Sequence, residues 1–238
     1  MAIYKFNKLN STNLHLKQNF NDYKKFDIIL AEHQSNGYGR FKRQWLDLGG
    51  ENIFMSMCLK LDGFNENIVG ITQFTALILA KTFEIYGIQP TIKWPNDIHV
   101  NGRKISGILA ESVIKNSKFE GIVLGLGINI NSDEKMFDSV SQKVTSLSTE
   151  ISKKINKDEF IENFVQKFEA DYEKLLGNGF SIFKNEYISY LNCIDKEITV
   201  KNYDKTFTGI ARNVSDNGLL ILETNGELKE ISAGDIEY

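Results

Sequence analysis

The chain has 238 residues, of which 42% are hydrophobic and 25% charged, with only 2 prolines. These values are typical of a soluble globular protein, one large domain or a domain plus a small appendage, and exclude a disordered or collagen-like chain. The 28 basic and 31 acidic residues give a formal net charge of −3, so no global charge attracts nucleic acid or anionic lipid. We therefore expect no nucleic acid and no membrane as a partner.

Membrane insertion and secretion are also disfavoured by the sequence pattern. The longest uncharged stretch, 67–80, has 14 residues, which is too short to span a bilayer. The first ten residues lack the apolar region of a secretory signal. Two cysteines, Cys58 and Cys193, are too few for a disulfide framework and have no metal-ligand spacing. The expected location is the cytoplasm.

The first 148 residues read mainly as strands, with two helices and two long loops. A short helix follows the N-cap candidates at 11–13, and 66–86 is apolar almost all round, as in a buried helix. Asn101-Gly102 predicts a tight hairpin turn. The predicted strands are 27–33, 52–61, 91–94, 97–100, 103–114 and 119–131. The polar stretches 34–50 and 132–148 are long for loops without a function.

The rest of the chain changes character near residue 192. Residues 158–176 place their apolar side chains on one helical face, with Asp158 near the cap and Gly177 after the end, and a second helix covers 180–191. The short alternating stretches that follow predict a small antiparallel barrel. They are 197–200, 206–211, 218–222 and 229–231. We therefore divide the chain into 1–191 and 192–238.

The strand Val123-Leu-Gly-Leu-Gly-Ile-Asn-Ile-Asn131 carries two glycines and two asparagines on one face. Its leucines and isoleucines alternate onto the other face and are expected in the core. Because the first face has almost no side chains before its two amides, a flat ligand could lie on the backbone there and still find hydrogen bonds. Close packing of another element against the glycines explains the pattern as well.

Basic residues of two other segments are candidates for binding an anion. The chain has only four arginines, and Arg40 and Arg43 both fall in the glycine-containing loop at 37–43, where backbone N–H groups and arginine forks could hold a phosphate. A solvated loop is the alternative, and Trp45 just beyond it either fills the core or stacks on a ring. Lys104 beside a buried strand either snorkels or places a charge at a reacting group.

Several common catalytic patterns are absent from the sequence. It contains no Walker phosphate loop, no dinucleotide fingerprint, no zinc-protease motif and no nucleophile elbow. The three histidines have no neighbouring ligand residues, so a metal site built on them is not expected. Cys58, in an apolar strand with no nearby histidine, is predicted to be a core residue.

Taken together and in order, these segments resemble the biotin protein ligases. The matching pieces are Ser11-Thr12-Asn13, Gln34 with Gly37 to Arg40, Arg43 and Trp45, Lys93-Trp-Pro-Asn-Asp97, Arg103-Lys104 with Gly107, and Gly125 to Asn131. The resemblance covers nearly the whole chain. It implies an α+β fold: a mixed β-sheet with helices on one side, followed by a small C-terminal SH3-like β-barrel. It also implies a ligase-only form, since only ten residues precede Ser11.

The resemblance implies a two-step reaction on ATP, with Mg²⁺, and biotin, without a tightly bound cofactor. Biotin is activated to biotinyl-5′-AMP and then transferred to a lysine of a biotin carboxyl carrier protein; a homodimer is left open. The resemblance makes Lys104, Arg40 and Arg43 catalytic. It assigns biotin to Ser11, Thr12, Asn13, Gln34, Gly37, Tyr38, Gly39, Arg40, Lys104, Gly107, Gly125 and Gly127. It assigns ATP to Arg40, Arg43, Trp45, Lys93, Asn96, Lys104, Asn129 and Asn131, and Mg²⁺ to Asp97.

One position departs from the family pattern. The loop usually reads Gly-Arg-Gly-Arg, whereas this chain has Tyr38 at the first arginine. Retained activity is expected, because Arg40, Arg43 and Lys104 are present. Two alternatives stay open: a lipoate ligase, which shares the fold and the acyl-adenylate chemistry, and a module that binds biotin without turnover.

Overall fold

Two β-sheets organise the computed structural model, which describes residues 1–49, 51–137, 142–202 and 205–237. The strands of the first sheet are β1 (Ile3–Leu9), β2 (Ile28–Gln34), β3 (Ile53–Lys60), β4 (Thr91–Lys93), β5 (Asp97–Val100), β6 (Arg103–Lys115) and β7 (Lys118–Ile128). The helices are α1 (Thr12–Gln18), α2 (Ile71–Glu84), α3 (Leu147–Ile151), α4 (Lys157–Asn178) and α5 (Lys184–Tyr190). The strands of the second sheet are β8 (Glu197–Asn202), β9 (Lys205–Val214), β10 (Leu220–Thr224), β11 (Glu227–Ile231) and β12 (Asp235–Glu237).

The first sheet is mixed, as predicted. Its strand order is β1-β2-β3-β7-β6-β5-β4, with β1 and β2 parallel and the other neighbours antiparallel. The predicted hairpin between β5 and β6 is present: Asn101 and Gly102 both have positive φ, 51° and 74°, as a type I′ turn requires. Strands β3 and β7 pair at the centre of the sheet, and β3 and residues 121–128 of β7 are almost wholly buried.

The two faces of this sheet bury different side chains. Leu124, Leu126 and Ile128 of β7 join the main hydrophobic core, to which α2 and α4 contribute. Burial of these large apolar side chains is the dominant stabilising term for such a layer, roughly 1.5–3 kcal/mol for each. The long helices therefore lie on one side, as predicted. The short α1 lies on the opposite face, where Leu16 packs with Val123 in a second cluster.

The ends of α4 differ from the predicted ones for a local reason. The N-cap is Asn156, whose Oδ1 accepts from the backbone N–H groups of Asp158 and Glu159 at 3.0 and 3.4 Å. Gly177 lies inside the last turn, and the helix ends at Gly179, whose φ of 73° suits only glycine well. The amphipathic face itself is as predicted, with Phe160, Ile161, Phe164, Val165, Phe168, Tyr172 and Leu175 buried.

The second sheet is antiparallel, with strand order β11-β10-β9-β8-β12 among the described residues. It is joined to the first layer at one turn, where the Gly218 carbonyl accepts from Gln73 Nε2 and Trp94 Nε1, both at 3.0 Å. At another point strand β12 brings Asp235 against Arg40 and Arg43, which follow β2 in the chain. No helix in the described parts of the chain combines the length and the apolar character needed to cross a membrane.

Candidate functional site

A floor without side chains forms where β6 and β7 pair. Gly107 and Gly127 lie directly opposite each other, and Gly125 is opposite Leu109. The ring of Trp45 lies on this floor: a Cβ added to Gly127 would be 2.5 Å from its Cε2, and one added to Gly107 would be 2.9 Å from its Cζ3. A Cβ on Gly125 would be 2.1 Å from Asn13 Oδ1. Only glycine allows these close approaches, because real Cβ contacts essentially never fall below 3.0 Å.

A cavity of about 600 Å³ opens above this floor on the α1 face of the sheet. That volume is in the range of small-molecule sites. The structure brings most of the predicted site residues to its lining: Ser11, Thr12, Asn13, Gln34, Tyr38, Gly39, Arg40, Arg43, Trp45, Asn96, Asp97, Lys104, Gly107, Gly125, Gly127 and Asn129. Segments far apart in sequence therefore converge on one concave site.

Three predicted residues are absent from this lining. Lys93 is the last residue of strand β4 and does not line the cavity, so the structure does not support the ATP contact expected of it. Asn131 has a structural role: its amide donates to the Ile155 carbonyl and accepts from the Ile155 N–H, both at 2.9 Å. Gly37 lies behind Gln34, whose Nε2 would be 2.8 Å from an added Cβ. A glycine suits position 37 because this residue packs against the Gln34 side chain, which reaches the cavity.

Hydroxyl and amide groups line the end of the cavity formed by α1. Ser11 caps the helix by accepting from the Leu14 N–H at 3.4 Å. Gln34 Oε1 accepts from the Thr12 N–H at 2.8 Å, which fixes the amide relative to the helix start. Ser56 lies below: its hydroxyl is 2.8 Å from Thr12 Oγ1 and donates to Asn13 Oδ1 at 2.6 Å. This end offers oriented neutral polar groups.

Positively charged groups line the opposite end. Lys104 Nζ donates to Asp97 Oδ2 at 2.6 Å and lies 5.4 Å from the centroid of the Trp45 ring, within cation–π range. Arg40 Nη1 donates to Asn96 Oδ1 at 3.0 Å. Because the Asn96 amide also donates to the Ile108 carbonyl at 2.9 Å, the asparagine holds the guanidinium against the sheet. These contacts orient the cations before any ligand binds.

Asp235 completes the charged end and was not predicted from the sequence. Its carboxylate contacts Arg43 Nη2 at 2.5 Å and lies 4.0 Å from Arg40 Nη1. The Gly234 carbonyl also accepts from Arg40 Nη1, at 3.2 Å. Asp235 lies in a three-residue strand near the end of the chain, which is too short to show any hydrophobic periodicity. The C-terminal sheet thus contributes directly to the site.

Glu111 is the second residue that sequence reasoning missed, although a signal existed. Residues 107, 109 and 111 of one strand share a face, so the alternation that placed Gly107 at the site also places Glu111 beside it. Its carboxylate accepts from Asn13 Nδ2 at 2.9 Å and from the Tyr38 hydroxyl at 3.0 Å, both through Oε2. Lys17 Nζ donates to Oε1 at 3.1 Å.

The aromatic and amide groups between the two ends suit a planar ring. Trp45 covers the glycine floor, and Asn129 lines the cavity with its Nδ2 donating to the Thr145 carbonyl at 3.1 Å. In the described parts of the chain no group of three or more His, Cys, Asp or Glu side chains could hold a metal ion by itself. The arrangement can bind an elongated molecule that is neutral and polar at one end and anionic at the other.

Comparisons with known proteins agree with this geometry. Residues 4–129 match the model of the biotin/lipoate A/B protein ligase family, and residues 193–238 match the biotin protein ligase C-terminal domain. The bifunctional ligase/repressor BirA of Bacillus subtilis is 33% identical over 88% of this chain, which spans 65% of that relative's length. The biotin--[acetyl-CoA-carboxylase] ligase of Paracoccus denitrificans is 24% identical, covering 88% of this chain and 89% of the relative.

A solved structure has the same fold. The biotin protein ligase from Aquifex aeolicus in complex with biotin and ATP superposes with a TM-score of 0.83 at 22% identity, covering 99% of this chain and 97% of that chain. At this level of identity the likeness concerns the fold, and the side chains of the site have to be judged from their own contacts.

Proposed function

This chain belongs to the biotin/lipoate A/B protein ligase family, and from that premise we propose that it activates biotin with ATP and transfers it to a carrier protein. The observation that carries the proposal is the side-chain-free floor at Gly107, Gly125 and Gly127, with oriented neutral groups at one end and cations at the other. Relatives named as biotin ligases and structures that contain biotin, ATP or biotinyl-5-AMP support the same substrates.

The proposed chemistry has two balanced steps. A carboxylate oxygen of biotin attacks the α-phosphorus of ATP, the bond to the β-phosphate breaks, and biotinyl-5′-AMP and pyrophosphate form. The neutral amine of an acceptor lysine on a biotin carboxyl carrier protein then attacks the acyl carbon, AMP leaves with the bonding pair, the nitrogen loses a proton to the departing AMP or to water, and an amide forms. Neither step needs a protein nucleophile, so the protein contributes positioning and charge stabilisation.

The cations are suited to the first step, in which two anions approach each other. Lys104 would contact the biotin carboxylate and the α-phosphate, and Arg40 and Arg43 the ATP phosphates. Their charge would offset the repulsion between the reactants in a site shielded from water. The preformed contacts with Asp97, Asn96 and Asp235 reduce the reorganisation needed when the substrates arrive.

The neutral end is suited to the ring system of biotin. A ureido ring presents N–H donors and a carbonyl acceptor, and Ser11, Thr12, Asn13 and Gln34 present hydroxyl and amide partners in an already bonded network. Neutral groups match a neutral ring without the desolvation cost of a buried charge. The ring would lie on the glycine floor at this end.

Trp45 implies that binding is accompanied by movement. Its ring now lies on the floor over Gly107 and Gly127, so a ligand that occupies this floor requires the ring to shift. Trp45 belongs to the segment 35–49 that carries Tyr38, Gly39, Arg40 and Arg43 as well. Rotation of the indole off the floor, with the backbone of the segment held in place, would bring the ring onto the adenine beside Asn129. The arginines would then meet the phosphates, and the segment would exclude water from the anhydride.

Mg²⁺ is part of the proposal as the companion of ATP. The residues fit a shared site: Mg²⁺ in nucleotide enzymes is usually held by one or two carboxylates and by substrate phosphates. Asp97 is the candidate ligand, because it lines the cavity and its Oδ1 faces the floor, 3.3 Å from the position of a Cβ on Gly107. A bound Mg²⁺ would neutralise phosphate charge, while Lys104 already balances the Asp97 carboxylate.

Exchange of labelled pyrophosphate into ATP tests the proposed function. We expect exchange that depends on biotin, because reversible adenylate formation returns pyrophosphate to ATP. Lipoate in place of biotin should give no exchange. Lipoate-dependent exchange would identify a lipoate ligase, and tight biotin binding without any exchange would identify a module that only binds. The match of residues 193–238 to a biotin ligase domain favours the first result.

A second test addresses Asp235. We expect Asp235→Asn to raise KM for ATP by about twofold to fivefold, equivalent to roughly 0.4–1 kcal/mol for a partly exposed ion pair. The reason is that Arg43 loses the carboxylate that orders it. KM for biotin should not change. Glu237→Gln is the matched control, since Glu237 pairs with Lys201 on the same short strand. A fall in KM for ATP would mean that Asp235 competes with the nucleotide instead.

The remaining parts of the proposal concern context. The carrier protein is the expected partner, and the cytoplasm the expected location, because the reaction consumes ATP and modifies a protein lysine. The division into a catalytic unit, 1–191, and a C-terminal unit, 192–238, also belongs to the proposal. The contacts of Asp235 and Gly234 with the arginines support a requirement for both units in catalysis.

A further inference from the structure

Glu111 lies at a junction that the proposed chemistry does not use. Its two carboxylate oxygens receive hydrogen bonds from Asn13 and Lys17 on α1 and from Tyr38 on the segment 35–49. The side chain is 20% exposed, so most of it is shielded from water. A single carboxylate therefore ties the helix, the sheet and the loop together at the neutral end of the cavity.

The loop bonded to Glu111 is a small hairpin. Tyr38 and Gln44 form an antiparallel bridge, the Gly39 N–H donates to the Arg43 carbonyl at 2.8 Å, and the Trp45 N–H donates to the Gly37 carbonyl at 2.9 Å. Because of these bonds the turn moves as one piece. A tether at Tyr38 consequently restrains Arg40, Arg43 and Trp45 as well.

The electrostatics favour an ionised carboxylate and a neutral phenol. Burial alone would raise the pKa of Glu111, but the hydrogen bonds from Asn13, Lys17 and Tyr38 outweigh it and lower the pKa. Burial, together with the charge and hydrogen bond of Glu111, raises the pKa of Tyr38 to about 12. The tether is therefore a hydrogen bond from a neutral donor to an anion, which is stronger than one between neutral groups.

We propose that Glu111 is a positioning residue that latches the 35–49 loop through the Tyr38 hydroxyl and so retains the acyl-adenylate in the cavity. The retention part rests on the proposed function, whereas the latch itself is a property of the free protein. Tyr38 stands at the first arginine of the Gly-Arg-Gly-Arg pattern. Its hydroxyl bonds to Glu111 without adding a positive charge to the neutral end.

The latch is tested first without any ligand, through tryptophan fluorescence. The chain has two tryptophans, and Trp94 is 1% exposed, so an added quencher such as acrylamide reports mainly on Trp45. Tyr38→Phe removes only the hydroxyl and should increase the quenching constant, and Glu111→Gln should shift it in the same direction. Tyr190→Phe is the matched control, because Tyr190 donates to Glu84 at 2.8 Å in another part of the molecule. Unchanged quenching in Tyr38→Phe would overturn the latch.

Retention is tested by the release of preformed biotinyl-AMP from the enzyme. We expect Tyr38→Phe to release it about tenfold faster, consistent with the loss of one hydrogen bond to a charged group, while pyrophosphate exchange changes less. In the double variant Tyr38→Phe/Glu111→Gln the increase in release rate should be smaller than the product of the two single increases, since the charged Tyr38–Glu111 hydrogen bond is already absent from each single variant. Tyr38→Arg should keep release slow when Glu111 is present. In Tyr38→Arg/Glu111→Gln release should be fast.

The outcomes separate the latch from the proposed function. A larger quenching constant in Tyr38→Phe, together with no biotin-dependent exchange in the unmodified protein, would support the latch and refute the ligase function. Biotin-dependent exchange in the unmodified protein, together with a release rate in the double variant that is raised by the product of the two single increases, would support the ligase function. It would refute Glu111 as the partner of Tyr38.

Discussion

Lys104→Ala is expected to lower the rate of biotin-dependent pyrophosphate exchange by about 100-fold or more, the usual cost of removing one oriented charge stabiliser. Lys104 is 17% exposed and is held by Asp97 at 2.6 Å, so its ammonium is presented to the cavity in one position. Its loss also leaves the Asp97 carboxylate without this partner, facing the approaching phosphates. Biotin affinity, measured separately by calorimetry, should change less than the exchange rate.

The two contributions of Lys104 can be separated with a second substitution. Lys104→Arg keeps a positive charge beside the Asp97 carboxylate but changes its shape and position, and should recover part of the exchange rate. The part that stays lost measures the contribution of the ammonium in its oriented position. Lys118→Ala, at an exposed position in the far hairpin of the same sheet, controls for the general loss of a positive charge. Exchange near the unmodified rate in Lys104→Ala would remove this lysine from the mechanism.

The parts of the fold with strong apolar periodicity were predictable. Strand β7 alternates, β3 is a continuous apolar run of strand length and α4 has helical periodicity, so each was predicted close to its observed position. Strand β1 was missed because none of its seven residues is fully buried and lysines occupy positions 5 and 8, so it has little hydrophobic pattern. Strand β12 was missed because three residues are too few for any periodicity. Both are specified by pairing with neighbours, which sequence spacing does not reveal.

The site was predictable where geometry follows from local alternation, and unpredictable where it depends on tertiary pairing. The glycine face of β7 followed from alternation, and the core position of its leucines is confirmed. The five residues 93–97 looked like one functional unit, but Trp94 lies in the core and only Asn96 and Asp97 reach the cavity. Because residues 94–96 form the turn between β4 and β5, their side chains share no strand face, and closely spaced polar residues in the sequence do not have to share a site.

Gly127→Val is the second substitution with a large expected effect. The added side chain would enter the cavity on the floor that faces Trp45, where even a Cβ would be 2.5 Å from the ring. We expect biotin affinity to fall by about tenfold to 100-fold, in line with roughly 1–3 kcal/mol for overfilling a packed space. The melting temperature should fall modestly, because the Trp45 ring has to leave the floor while the main core on the other face is untouched.

Gly127→Val/Trp45→Ala distinguishes two causes of that loss. If the valine acts by displacing the indole, removal of the indole should restore biotin binding to the level of Trp45→Ala alone. If it acts by occupying the place of the ligand, binding should stay weak in the double variant, which is the result we expect from a floor that contacts biotin directly. Gly177→Val is the control for glycine replacement, since a Cβ there meets nothing within 4 Å. Full affinity in Gly127→Val would show that biotin lies elsewhere, because a ligand resting on the backbone cannot tolerate two methyl groups beneath it.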